Sequence, residues 1–132
     1  MEITYKIDSV PTPQQIIQLY NDAGLPRPTH DLERIKKMYE SSNLIVSAWD
    51  DEVLVGAARS ITDWCWSCYL ADLAIKQTHQ KEGIGRKLVD LTKAQIGEET
   101  MLLLLSVPTA MEYYPKVGFA KQESSFIINR ER

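Results

Sequence analysis

The chain has 132 residues, of which 44% are hydrophobic and 25% charged, with a formal net charge of −3. That is enough chain for one continuous core, and the mild acidity argues against a nucleic-acid-binding domain, which is usually clearly basic. No run of about 20 apolar residues occurs, so no membrane partner is expected. The opening Met1-Glu2-Ile3-Thr4-Tyr5 lacks the regions of a signal peptide, so a cytoplasmic location is the expectation.

Residues 1–7 alternate apolar and polar side chains (Ile3, Tyr5, Ile7), which predicts a first strand. Pro11-Thr12-Pro13 breaks it, with Thr12 suited to an N-cap and Pro13 to a first helical position. Ile16, Ile17, Leu19 and Tyr20 then form a helical stripe ending near Gly24, and Pro26 and Pro28 forbid its continuation. Thr29 or Asp31 can cap a second helix carrying Leu32, Ile35, Met38 and Tyr39, ended by Asn43. Residues 44–49 and 53–61 predict a hairpin turning at Asp50-Asp51-Glu52, with Gly56 where a backbone or ligand can come close.

Residues 66–75 predict a longer strand, and residues 83–96 a helix with Ile84, Leu88 and Leu91 on one face. The apolar run 101–107, followed by Pro108, predicts a short strand buried on both faces. A short helix over 109–117 and a final strand over 119–129 complete the chain. The order β-α-α-β-β-β-α-β-α-β, hairpins first and βαβ units after, predicts one α/β domain over residues 1–132 with a mixed sheet. Cys65-Trp66-Ser67-Cys68 has the spacing of a redox pair or half a metal site. There is no second pair, and residues three apart on a strand point to opposite faces. Two reduced, packing cysteines and no metal are expected.

The loop Gln80-Lys81-Glu82-Gly83-Ile84-Gly85 opens the third predicted helix. A helix N-terminus leaves backbone N–H groups without intrahelical partners and carries partial positive charge. Glycines there let an anion approach closely, so a strand feeding such a loop suits a phosphate. On Gly-x-Gly alone, a turn glycine plus a packing glycine is the preferred reading. It is neither the P-loop pattern nor the dinucleotide fingerprint.

The loop resembles the Gln/Arg-x-x-Gly-x-Gly/Ala signature of the GCN5-related N-acetyltransferase (GNAT) family. Downstream, the ten residues from Ala110 to Phe119 resemble that family's Ala-x-x-Phe-Tyr-x-x-x-Gly-Phe, with Tyr113 in place of the usual Phe. The element order matches the family fold, and the likeness spans essentially the whole chain, as in small bacterial single-domain members. It implies the GNAT-type acyl-CoA N-acyltransferase fold, with acetyl-CoA as co-substrate and a small-molecule or peptide amine as acceptor. It implies pyrophosphate binding by the loop residues Gln80, Lys81, Glu82, Gly83, Ile84, Gly85 and Arg86. It further implies a splayed strand whose Leu73, Ala74 and Ile75 hold the pantetheine arm, an N–H near Leu73 facing the carbonyl oxygen, and Tyr114 as general acid. The family's frequent asparagine after the fifth strand is missing; Thr109 stands near that place as a substitute.

The resemblance leaves the base open. Asp72, mid-strand in apolar surroundings, suits either a catalytic carboxylate or a salt bridge to Arg59. Asp63 is a second candidate, or the cap of a turn, while His79 and His30 are expected to be exposed structural residues. Trp64, Trp66 and Tyr69 suit the wall of an acceptor pocket or the core. Neither cysteine lies at a family nucleophile position, so direct attack in a ternary complex is expected. The rival classes are a catalytically silent acyl-CoA-binding sensor and a phosphate-ligand protein unrelated to coenzyme A. An exposed edge near the C-terminal strand would permit a homodimer.

Overall fold

The protein is described by a computed structural model, in which residues 2–7 and 9–132 are placed. Met1, the start of the predicted first strand, lies outside them. Helix α1 (Pro13–Ala23) begins as the sequence dictates. The Thr12 hydroxyl accepts the Gln15 N–H at 3.2 Å, and the Gln15 side chain accepts the Thr12 N–H at 2.9 Å. This reciprocal box satisfies two otherwise orphaned donors. Asp31 caps α2 (Leu32–Glu40) by accepting the Arg34 N–H at 3.1 Å.

Five strands lie side by side in chain order: β1 (Thr4–Lys6), β2 (Leu44–Asp50), β3 (Val53–Thr62), β4 (Ser67–Ile75) and β5 (Met101–Leu103). The first four are antiparallel, while β5 runs parallel to β4, as a crossover through helix α3 (Ile84–Ile96) requires. The sheet is therefore mixed, as expected. One face packs Val46, Val55 and Leu70 against Ile84 and Leu88 of α3. The other packs Ile45 and Ala57 against Ile16 and Tyr20 of α1 and Ile35 of α2. Fully burying an aliphatic or aromatic side chain of this kind stabilises by about 1.5–3 kcal/mol.

A bulge in β4 decides what each face carries. Arg59 pairs with Asp72 but Ser60 with Leu70, so Ala71 is the extra residue. An extra residue shifts the two-residue alternation by one. Cys68 and Leu70 therefore face α3 together with Leu73 and Ile75, while Ala74 faces α1 and α2. Asp72, in phase with Ala74, is turned to the α1–α2 side.

Three expectations fail towards the C-terminus. Strand β5 is three residues long, and Leu102 to Leu104 are only half-buried, because one flank of this run borders an open cavity. The predicted helix over 109–117 is split into a 3-10 turn at Pro108–Ala110 and α4 (Tyr113–Lys116). Pro115 removes a backbone donor inside this stretch, which keeps the ladder short. Among the described residues no strand follows α4, so the predicted strand over 119–129 is absent. Phe119 turns in against Tyr114, with ring centroids 5.7 Å apart. The chain then leaves the sheet with Phe126 and Ile128 exposed (99% and 100%) and reaches α2, where the Arg34 guanidinium donates to the main-chain oxygen of Arg132 at 3.0 Å. A strand needs an edge of matching length, and β5 offers three residues.

A Cβ at Gly56 would lie 3.1 Å from Leu88 Cδ1, 3.2 Å from Ile84 Cγ2 and 3.3 Å from the Ala48 Cβ. Gly56→Val should therefore overpack the sheet–α3 contact and lose about 1–3 kcal/mol. Urea unfolding should show a lower midpoint with an unchanged slope.

Candidate active site

Strands β4 and β5 pair only from Ser67–Met101 to Tyr69–Leu103. Beyond Tyr69 they part, next to the bulge at Ala71. The Lys76 N–H donates to the Val55 carbonyl at 2.8 Å, which sets the phase of the antiparallel ladder. Hydrogen-bonded pairs alternate with unbonded ones. Asp72 and Ala74 thus bond to β3, while the backbone groups of Leu73 and Ile75 point away from β3 into the gap. The Ile75 carbonyl accepts the Gln80 side-chain amide at 3.0 Å, which ties the following loop to the strand end.

That loop is held from two more sides. The Asp22 carboxylate accepts the Gln77 N–H at 2.8 Å, and His79 Nε2 meets the Asp50 carboxylate at 2.9 Å. His79 is therefore a half-buried clamp rather than the exposed residue expected. Lys81 (φ 66°) and Gly83 (φ 84°) both adopt left-handed backbone, which turns the chain into α3. Helix α3 has no side-chain N-cap. Among the described residues, no backbone N–H from Lys81 to Arg86 reaches a main-chain acceptor. A cluster of free donors at a helix N-terminus is an anion cradle.

One cavity of about 690 Å³ joins these features. Of the predicted cofactor residues, Leu73, Ala74, Ile75, Gln80, Lys81, Gly83, Ile84, Gly85, Arg86 and Thr109 line it, as does Tyr114; Glu82 does not. Burial, with Tyr113 adding to it, raises the Tyr114 pKa above the usual 10, and Arg27 pulls it partly back. The Tyr113–Tyr114 and Tyr114–Phe119 contacts, at 5.3 and 5.7 Å, fix the ring edge-on. Tyr113 is a contact the sequence did not announce. Its hydroxyl occupies the space a Cβ at Gly85 would need, so the second glycine also seats α4 on α3.

Asp72 lies outside this cavity, in the layer between β4 and the first two helices. Its Oδ1 accepts Arg27 Nε at 2.6 Å; its Oδ2 accepts Arg59 Nε at 2.7 Å and the Tyr20 hydroxyl at 2.7 Å. Tyr39 bonds Tyr20 in turn, and Arg27 reaches the bulged Ala71 carbonyl at 2.9 Å. Burial pushes the Asp72 pKa up, but the Arg59 bond and charge, with Arg27 and Tyr20, outweigh it and hold the carboxyl below the usual 3.8. Of the two roles open to Asp72, the geometry favours the salt bridge. Arg27 was missed; its signal was its place between Pro26 and Pro28, where the backbone has little freedom.

The turn from Asp63 to Ser67 lies at the other end of β4. The Asp63 carboxylate accepts the N–H groups of Cys65, Trp66 and Ser67 at 2.8 to 3.0 Å, which lowers its pKa to about 2. It caps a turn. Trp64, Trp66 and Tyr69 project from this region, 47%, 75% and 38% exposed, and line neither the cavity above nor the core. Cys65 is exposed and Cys68 buried, both free.

Asp72→Asn should strand two guanidiniums on a neutral amide and cost about 3–5 kcal/mol. The Asp72 pKa is depressed on folding, so its stabilisation is complete above the usual 3.8 and disappears as pH falls through the lower folded value. Urea midpoints of the parent protein should fall more steeply below pH ~4 than those of the variant.

The acetyltransferase (GNAT) domain family matches residues 9–130. A protein of unknown function from meticillin-resistant Staphylococcus aureus superposes with a TM-score of 0.83 at 21% identity, covering 98% of this chain and 100% of that one. A GNAT-family acetyltransferase of Streptococcus pneumoniae gives 0.79 at 23%, with the same coverage of 98% and 100%. An aminoglycoside acetyltransferase from an uncultured soil metagenomic sample, crystallised with sisomicin, gives 0.70 at 17%, covering 98% and 97%. Among curated proteins none matches this sequence. The structural likenesses establish the fold, the family match extends over nearly the whole sequence, and the chain belongs to the GNAT acetyltransferases.

Proposed function

We propose that the protein is an N-acetyltransferase that moves the acetyl group of acetyl-CoA to a primary amine by direct attack in a ternary complex. One observation carries this reading: the bare backbone edge of Leu73 and Ile75, the free N–H groups at the start of α3 and the Tyr114 hydroxyl share a single cavity. The residues present fit coenzyme A. The N–H groups from Lys81 to Arg86 suit its pyrophosphate, and the edge at Leu73 and Ile75 suits its amide-bearing arm, as an added strand would. Bound acetyl-CoA supplies an activated acyl group. An aminoglycoside acetyltransferase shares the fold, which supports an amine as the acceptor.

Within that arrangement each group has a task. The Leu73 N–H donates to the carbonyl oxygen, where charge develops; one such donor is worth about 2.7–4 kcal/mol of barrier. Tyr114 hands its proton to the departing sulfur. Phenol to thiolate is uphill by about 1.5 pKa units at ordinary values, and burial of Tyr114 adds to that cost; the proton that the acceptor nitrogen loses on forming the amide returns to the phenolate and closes the cycle. Asp72 acts as an anchor for Arg27 and Arg59, and water or solvent base removes the ammonium proton of the acceptor.

Isothermal titration should show coenzyme A binding, and loss of that binding in Gly83→Val, which puts a branched side chain in left-handed backbone. No detectable binding to the parent protein would refute the reading. Tyr114→Phe should leave acetyl-CoA affinity intact while lowering kcat by about 10²–10⁴ in a thiol-release assay. Binding without thiol release from any of polyamines, arylalkylamines, aminoglycosides, amino acids or peptides would instead indicate a silent acyl-CoA sensor.

A further inference from the structure

A second cavity, of about 540 Å³, adjoins the first across Pro26 and Arg27, which line both. Its charged lining is Arg27, Arg34, Arg59, Arg130 and Arg132, with His30 beside them. The chain has six arginines and nine lysines. Five of the six arginines line this one cavity, and no lysine does. Among the described residues no Asp or Glu lines it either, in a chain whose net charge is −3. Asp72 answers two of the five from beneath, through Arg27 Nε and Arg59 Nε. The remaining three come from α2 and from the C-terminal segment, which crosses to this face instead of joining the sheet. Arg34 is itself engaged, donating to the main-chain oxygen of Arg132 at 3.0 Å.

Gathering like charges costs free energy, and the cost is recovered when an anion enters. Arginine differs from lysine in presenting a flat fork of donors that matches carboxylate and phosphate oxygens two at a time. Segregation of the arginines from the lysines therefore points to an acidic group, not to a merely solvated basic surface. We propose that this cavity is the acceptor subsite and that the acceptor carries a carboxylate or phosphate besides its amine. The proposal rests on the acetyltransferase reading above. The acidic end lies among Arg34, Arg130 and Arg132, with Arg27 and Arg59 fixed by Asp72 as the rear wall. The amine end lies across Arg27, towards the bare edge of β4.

Matched acceptors test this: phosphoethanolamine against ethanolamine for phosphate, β-alanine against β-alaninamide for carboxylate. In thiol-release assays the acidic member of at least one pair should have a kcat/KM about tenfold or more above its partner, and which pair responds identifies the anion. The double variant Arg34→Gln/Arg130→Gln should erase that preference through KM, leaving coenzyme A affinity and Tm unchanged. Calorimetry of phosphoethanolamine and β-alanine with the CoA-saturated protein, whose loop donors are then occupied, should show the same loss in the variant. Ratios near one in both pairs, or a preference that survives in the double variant, would overturn the proposal while coenzyme A binding keeps the acetyltransferase reading intact. Conversely, if coenzyme A does not bind but the acidic amine binds the parent and not the variant, the acetyltransferase reading falls and the anion site stands.

Discussion

One buried carboxylate holds the working half of this fold together. Asp72 joins β4 to β3 through Arg59, to α1 through Tyr20 and to the α1–α2 connection through Arg27. These partners come from distant parts of the sequence, and without them the first two helices would meet the face of the sheet mainly through apolar contacts. Apolar contacts are non-directional. A carboxylate with three donors at fixed angles is not, and it fixes where Arg27 stands between the two cavities.

That network exists because of the irregularity at Ala71. Had β4 alternated without interruption, Asp72 would share a face with Cys68 and Leu70 and would be driven into the apolar layer under α3. A lone carboxylate there costs far more than a strand defect. The same bulge lies just past the last β4–β5 pair, so one extra residue both rotates Asp72 towards the helices and coincides with the parting of the strands. Burying ions in this way is seldom a gain in stability over well-packed apolar residues. Here it secures a position: the guanidinium of Arg27, bonded also to the Ala71 and Pro26 carbonyls, is held where the two cavities adjoin.

Much of this was legible before any coordinates, for identifiable reasons. The Thr12–Gln15 box and the Pro13 start gave α1 its first residue, and the stripe of Ile84 and Leu88 placed α3 behind its glycine loop, because caps and periodicity are local properties. The backbone edge at Leu73 and Ile75 followed from resemblance, not from residue type, since every residue carries the same N–H and C=O. What failed was non-local. The run from Met101 to Val107 is apolar enough for a doubly buried strand, but burial is decided by what packs alongside, and here a cavity does. Phe119 to Asn129 has strand-like residues and lacks an edge to pair with. Trp64 and Trp66 looked like pocket walls by type alone, yet Asp63 closes the turn in a way that turns them out to water. The convergence of five arginines was invisible because it depends on chain segments roughly one hundred residues apart meeting in space.

The contact between Tyr113 and Gly85 couples two parts of the site that are usually discussed separately. The tyrosine hydroxyl fills the volume of the missing side chain at the first turn of α3, and its neighbour Tyr114 is the proton donor assigned above. Any side chain at position 85 would displace the Tyr113 hydroxyl, and with it the ring that packs on that donor. In the proposed reading, grip on the nucleotide and delivery of the proton become one mechanical adjustment, so the first is retuned only by rebuilding the second.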